Sequence, residues 1–136
     1  MSSQRNLPSS PRILVAEDHP VCALVLKNDL AELGAFDIAV CDCGVSAWRA
    51  WLRAPAALLI TDLNMPRMDG MTLARAIRAA EVRTSHRTVI AALTASFTPT
   101  QRMHCAQSGI DELLLKPLEL GALEALLKRH LVGQRA

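Results

Sequence analysis

Four short apolar runs in this chain each stop on a group that can do chemistry. Ile13-Leu14-Val15-Ala16 stops on Glu17-Asp18, and Leu58-Leu59-Ile60-Thr61 stops on Asp62. Thr88-Val89-Ile90-Ala91-Ala92-Leu93 stops on Thr94, and Leu113-Leu114-Leu115 stops on Lys116-Pro117. Apolar runs of this length bounded by turn residues read as buried strands. If the four lie parallel, three carboxylates, a hydroxyl and an ammonium share one edge of one sheet. Carboxylates held that close repel, by roughly 4 kcal/mol for unit charges about 4 Å apart at an effective dielectric of about 20. Such a cluster must take up protons or a cation, and hard oxygen donors without His or Cys suit Mg²⁺. A metal-bound carboxylate beside a lysine can attack phosphorus and form an acyl phosphate, with Asp62 as the nucleophile. Phosphoryl transfer is largely positioning and charge neutralisation. Mg²⁺, Lys116 and the Thr94 hydroxyl with nearby backbone N–H groups would then each face one phosphoryl oxygen. Taken alone, Asp62 reads better as a cap for the helix that follows; the other three strand ends are what favour the chemical reading.

Periodicity supplies the elements that would position these residues. Residues 20–33 read as the first helix, with Pro20 in its first turn, where a missing N–H costs nothing. Val21, Leu24, Val25, Leu30 and Leu33 form its expected inward stripe, and Gly34 is expected to end it as a left-handed cap. A second strand over 37–42 leads to a helix over 45–53, ended by Pro55. Trp48 and Trp51 occupy neighbouring positions on that helix, either packed against the sheet, the favoured reading, or forming a partly exposed partner patch. A third strand over 57–61 precedes a helix over 71–80 with Leu73, Ala74 and Ile77 inward, and residues 81–87 read as a polar connection. After the fourth strand, 88–93, Thr98, Pro99 and Gln101 have the makings of a capping box, and the helix they open ends at Gly109. The fifth strand, 113–115, is followed by a helix over 118–131 with Leu120, Leu123, Leu126, Leu127 and Leu131 inward. Gly121 weakens that helix by up to about 1 kcal/mol. Five strands alternating with five helices predict an α/β fold, a parallel sheet covered on both faces. Its site lies beyond the C-terminal strand ends, where the strand order reverses.

The acidic pair after the first strand, then Asp62-Leu63-Asn64-Met65-Pro66-Arg67-Met68-Asp69-Gly70, Thr94-Ala95 and Lys116-Pro117 follow one another at strand ends. Together they resemble the receiver domain of response regulators in two-component signalling, over about residues 11–131. The resemblance implies a doubly wound, flavodoxin-like (βα)₅ fold of strand order 2-1-3-4-5, with Glu17, Asp18 and Asp62 meeting at the switch point. It implies that Asp62 is the phosphoacceptor. It also implies that Asp18, Asp62 and the backbone carbonyl of Asn64 hold Mg²⁺, with Glu17 acting through a bound water. Thr94 matches the switch hydroxyl and Lys116 the phosphate-pairing lysine, and the Lys116–Pro117 bond is expected to be cis. The implied partners are a histidine kinase, or the chain's own kinase core, and a histidine-phosphotransfer domain. Two positions depart from the family pattern. Leu113 stands where a Tyr or Phe is usual, which changes the output surface, and Glu17 replaces the commoner Asp. A phosphoryl group would add roughly −1.5 to −2 charges beside Thr94 and Lys116 and shift the fourth helix and fifth strand between two arrangements.

Composition narrows the remaining classes. Half of the 136 residues are apolar, ample for one core. A net charge of +2 and the absence of Tyr argue against a nucleic-acid surface or a stacking platform. No apolar run approaches the roughly 18 residues of a membrane span, and the polar, Pro-containing start does not read as a secretory signal. A cytoplasmic domain without membrane contact is expected. Residues 1–11 read as a flexible arm or linker, 12–132 as the receiver and 133–136 as a tail. With no effector after it, the domain reads as a stand-alone receiver or as one cut from a hybrid sensor kinase. Cys41 and Cys43 are too close, on one strand face, for an easy disulfide and lack a second ligand pair, so reduced thiols are expected. None of His19, His86, His104 and His130 has a phosphotransfer neighbourhood, and no ATP-binding glycine box is present, so no kinase catalytic domain is expected here. His19, beside the acids, reads as a solvated loop residue. An aspartate-nucleophile phosphohydrolase would need an acid two residues after Asp62, where Asn64 stands. A docking module that is never phosphorylated would have no use for the acids, Thr94 and Lys116.

Overall fold

The computed structural model describes residues 10–96 and 98–132, so the expected arm and tail fall largely outside the described residues. Strands β1 (Arg12–Ala16), β2 (Asp37–Cys41), β3 (Leu58–Asp62), β4 (Val89–Thr94) and β5 (Glu112–Leu115) form one parallel sheet of order β2-β1-β3-β4-β5. Helices α1 (Pro20–Leu33), α2 (Gly44–Arg53), α3 (Gly70–Glu81), α4 (Pro99–Gln107) and α5 (Leu120–Leu127) connect them, and α5 runs on into a π turn over Lys128–Val132. The expected fold class, including the strand order, is the observed one.

The strands are apolar without alternation because both faces of the sheet are covered. Successive side chains go to opposite faces. Leu14, Ala16, Leu59, Ile90 and Ala92 pack with residues of α2, α3 and α4, among them Trp51, Leu73, Ile77 and Cys105. Ile13, Val15, Leu58, Ile60, Ala91 and Leu93 pack with Leu26, Leu30, Leu123, Leu126 and Leu127 of α1 and α5.

Three local expectations are corrected. In α1 the expected Leu30 is buried and Leu33 packs half-buried against the core, but Ala23 and Leu26 join them there, whereas Val21, Leu24 and Val25 are 63%, 58% and 52% exposed. Apolar residues occupy most sides of this helix, so two stripes were available; packing against the sheet and α5 selects the one spaced i, i+3, i+7. Gly34 is not left-handed but extended, at φ 173° and ψ 177°. A Cβ there would lie 2.8 Å from the outer edge of the Phe36 ring, so any other residue would need that ring to shift. In α5, Leu120 is 42% exposed, while Leu123, Leu126 and Leu127 are buried, as is Leu131 in the π turn.

Residues 81–87, expected as a plain polar connection, begin in a charge network around the buried Glu81, at the edge of the sheet remote from the acids. Glu81 closes α3, and its carboxylate accepts from the Thr88 N–H at 2.6 Å and from Arg78 at 2.7 Å. Arg78 also donates to the carbonyls of Thr88 at 2.8 Å and Gly109 at 3.0 Å and to Asp111 at 2.9 Å. Asp111 accepts in addition from the Ile90 N–H and from Arg87, both at 2.8 Å. The entries to β4 and β5 are thereby tied to α3. Burial disfavours the Asp111 charge, but the bonds from Arg87, Ile90 and Arg78 outweigh it and hold the carboxyl below its usual range. A carboxyl depressed in the native state stabilises above its unfolded pKa, about 3.9, and that contribution is lost as pH falls through the lower native value. Asp111→Asn is expected to cost about 1–3 kcal/mol in urea unfolding at neutral pH, with the gap to wild type closing below about pH 4.

Candidate functional site

The register of the central strands brings the acids together. Ala16 pairs with Thr61 across β1 and β3, so Glu17 and Asp62, the next residues, stand side by side. One carboxylate oxygen from each of Glu17, Asp18 and Asp62 lies within 4.8 Å of the other two. Glu17 is 3% exposed and Asp62 7%, while Asp18 faces solvent. The Glu17 N–H donates to the Cys41 carbonyl at 3.0 Å, which extends the sheet by one rung, and its carboxylate accepts from the His19 N–H at 3.0 Å. His19 meets the site through its backbone only; its side chain is exposed and makes no cap bond.

Lys116 closes the site from the far side. Its ammonium lies 3.1 Å from Asp62 Oδ2 and 3.4 Å from Glu17 Oε1. Its own N–H donates to the Thr94 carbonyl at 2.8 Å, so the end of β4 positions it, and the Lys116–Pro117 bond is cis, as the resemblance implied. Burial pulls the Lys116 ammonium down, yet its bond to Asp62 and the charges of Asp62 and Glu17 leave its pKa raised. Burial pushes the Glu17 carboxyl up, the nearby Asp62 charge adds to that, and the His19 N–H and Lys116 oppose it. Thr94 stands at the same edge, but its hydroxyl donates to the Ser96 carbonyl at 2.8 Å. Leu113 is half-buried against the cluster under α2, α3 and α4.

The loop after Asp62 is shaped by its own residues. Asp69, not Asp62, caps α3, accepting from the Thr72 N–H at 2.8 Å, so the capping role that Asp62 could have had belongs elsewhere. The Gly70 N–H donates to the Leu63 carbonyl at 2.9 Å, and a Cβ on Gly70 would sit 2.7 Å from the Asp62 carbonyl oxygen. Only glycine lets the helix start this close to the strand end. A three-residue turn joins the Met68 N–H to the Pro66 carbonyl at 2.8 Å and holds Arg67 at φ +69°, a sparsely populated conformation for a side chain of its size. The Asn64 N–H reaches Asp62 Oδ1 at 3.4 Å.

All six residues singled out in the sequence thus lie at this one edge. What sequence reasoning missed is the Glu17–Lys116 contact and the His19 N–H, both consequences of how the loops turn. The donor set fits a hard divalent cation: three carboxylates without His or Cys, two of them nearly buried. Fully ionised, they leave two negative charges after Lys116 is counted, which the two positive charges of such an ion would balance.

A parallel 2-1-3-4-5 sheet with an acidic cluster and a lysine at its switch point defines the receiver class. The sequence model for the response regulator receiver domain matches residues 13–128, and the chain belongs to that family. It is 37% identical over 123 residues to the virulence sensor protein BvgS of Bordetella pertussis, covering 85% of this chain and 10% of that protein. The chain therefore spans about a tenth of the length of that relative. Among solved structures, it resembles the receiver domain of sensor histidine kinase PA1611 from Pseudomonas aeruginosa PAO1, crystallised with a magnesium ion coordinated in its active-site cleft. The TM-score is 0.78 and the identity 31%, over 90% of this chain and 98% of that one. It also resembles the receiver domain of Ssk1 from Saccharomyces cerevisiae, co-crystallised with the histidine phosphotransfer protein Ypd1. There the TM-score is 0.84 and the identity 25%, over 96% and 94% of the two chains.

The ion-pair geometry makes a prediction for stability. Lys116→Met leaves Glu17 and Asp62 facing each other uncompensated and is expected to cost about 1–3 kcal/mol in urea unfolding with EDTA present. Adding Asp62→Asn to that variant should recover part of the loss. Equal costs for the single and double variants would mean that the lysine does not offset this repulsion.

Proposed function

We propose that Asp62 accepts a phosphoryl group from a phosphohistidine and that the added charge changes what the domain binds. The observation that carries this reading is the cluster of Glu17, Asp18 and Asp62 carboxylates, drawn within 4.8 Å and capped by the Lys116 ammonium. An Asp62 carboxylate oxygen attacks the phosphorus, the P–N bond breaks, and the imidazole nitrogen leaves with the bonding pair. Asp18, Asp62 and the Asn64 backbone carbonyl would hold Mg²⁺, with Glu17 acting through a bound water. When bound, the ion supplies positive charge against the phosphoryl oxygens. Lys116 exchanges its bond to Asp62 for one to a phosphoryl oxygen, so one cation serves both states. Thr94 gives up its bond to the Ser96 carbonyl and donates to the phosphoryl group instead.

The phosphodonor in this reading is a histidine kinase, or the kinase core of the same polypeptide, and the exchange partner is a histidine-phosphotransfer domain. Two observations support it: the pairing of the Ssk1 receiver with Ypd1, and the much longer sensor protein to which this chain is related. Residues 12–132 would then be the receiver of a hybrid sensor kinase, with 1–11 as linker and 133–136 as tail, working in the cytoplasm. Among the described residues no helix is long and apolar enough to cross a membrane, as that placement requires of this part.

With Mg²⁺ and acetyl phosphate, intact-mass spectrometry is expected to show one phosphoryl group on the wild type and none on Asp62→Asn, and EDTA should suppress it. An adduct on Asp62→Asn equal to that on the wild type, or none on either, would sink the assignment. Sustained turnover of phosphate esters would point to a hydrolase instead. With the donor present, partner binding unaffected by Asp62→Asn would leave a docking module.

A further inference from the structure

Away from the acidic edge, α2 and α3 leave a shallow groove of about 490 Å³ between them, lined by Trp48, Ala76, Ala79, Ala80 and Arg83. One wall is held rigidly. The Trp48 ring stacks on Trp51 with centroids 5.9 Å apart and planes 8° from parallel. Trp51 is itself buried and fixed by its indole N–H, which donates to Thr88 Oγ1 at 2.8 Å. Trp48 is therefore half-buried and pre-oriented, with little side-chain freedom left to lose on binding. Leu52, one helical turn on, is 53% exposed. The other wall offers methyl groups at 76, 79 and 80, so the side-chain ridge of an approaching helix can settle close to the backbone.

The charge around the groove is one-sided. On α2 and α3 the only acid is Glu81, which is buried and paired with Arg78. Arg83, in the groove wall, is exposed and makes no ion pair among the described residues, and neither does the exposed Arg49 farther round α2. A rigid tryptophan, a small-residue trough and unneutralised arginines form the kind of surface on which Trp and Arg anchor a protein partner.

We propose that this groove docks an amphipathic helix of a partner protein, with leucine-sized side chains against Trp48 and the alanines and acidic side chains toward Arg83. The trough argues for a helix. A nucleic acid or an anionic membrane would use the arginines and leave the apolar channel between the helices unfilled. The inference is independent of the phosphoryl chemistry.

The test titrates the isotope-labelled full chain with an amidated helical peptide that carries leucines on one face and glutamates on the other. Its lysine-faced counterpart serves as control, and amide NMR is the readout. Saturable shifts are expected at residues 48, 76, 79, 80 and 83 with the acidic peptide, weakening as salt is raised. Ala79→Glu, at an exposed position, and Arg83→Glu should each weaken binding roughly tenfold or more, with urea midpoints unchanged. Equal binding of the lysine-faced peptide, no saturable shift, or shifts confined to other elements would overturn the proposal. Tighter binding at these same amides by a DNA duplex or by phosphatidylglycerol vesicles would overturn it too.

Discussion

Two almost buried carboxylates stand side by side at the end of β1 and β3, and a single ammonium answers them. That electrostatic constraint organises the functional edge of the molecule. Burial pushes the Glu17 carboxyl toward protonation, and the neighbouring Asp62 charge adds to that. Lys116 opposes that rise without cancelling it, held 3.1 Å from Asp62 and 3.4 Å from Glu17 by a backbone bond to Thr94. The acids come from two strands adjacent in space but separated in sequence by two helices and a strand, so their meeting is a property of the crossover topology.

Much of this was legible in the sequence, for a physical reason. A parallel sheet buried on both faces needs uninterrupted apolar strands, and such strands announce where they stop. Glu17, Asp62, Thr94 and Lys116 could be found because each is the first strongly polar group after such a run or closes it. Legibility failed where one segment had two equivalent solutions. In α1, Val21, Leu24 and Val25 on one side and Ala23 and Leu26 on another both have helical spacings, and only the neighbouring α5 and sheet decide which set joins the buried Leu30. Gly34 was readable as a residue that tolerates unusual backbone, but its backbone is extended, and what it spares is a shift of the Phe36 ring. The network of Glu81, Arg78, Asp111 and Arg87 joins residues up to 33 positions apart, and nothing local in the sequence marks it.

The helices differ in how firmly they are held. Of the nine residues of α4, only Cys105 is buried. The C-terminal end of that helix is pinned, through Arg75 to Ser108 at 3.0 Å and Arg78 to the Gly109 carbonyl. Its start has the Thr98 cap and, ahead of it, the Thr94–Ser96 bond. A helix with so little buried surface gives up little stability in moving. Leu113, in the position that the family usually gives to an aromatic ring, packs beneath this region with a smaller and more adaptable side chain.

The two apolar clusters have no residue in common, because every strand sends alternate side chains to opposite sides. The sheet is in effect a partition between two rooms. A swap of side-chain volume in the α1–α5 room meets its direct neighbours in that room, and reaches the α2–α3–α4 room only through the strand backbones. Drift and repair can therefore proceed in the two compartments largely side by side, with the strands themselves as the shared wall.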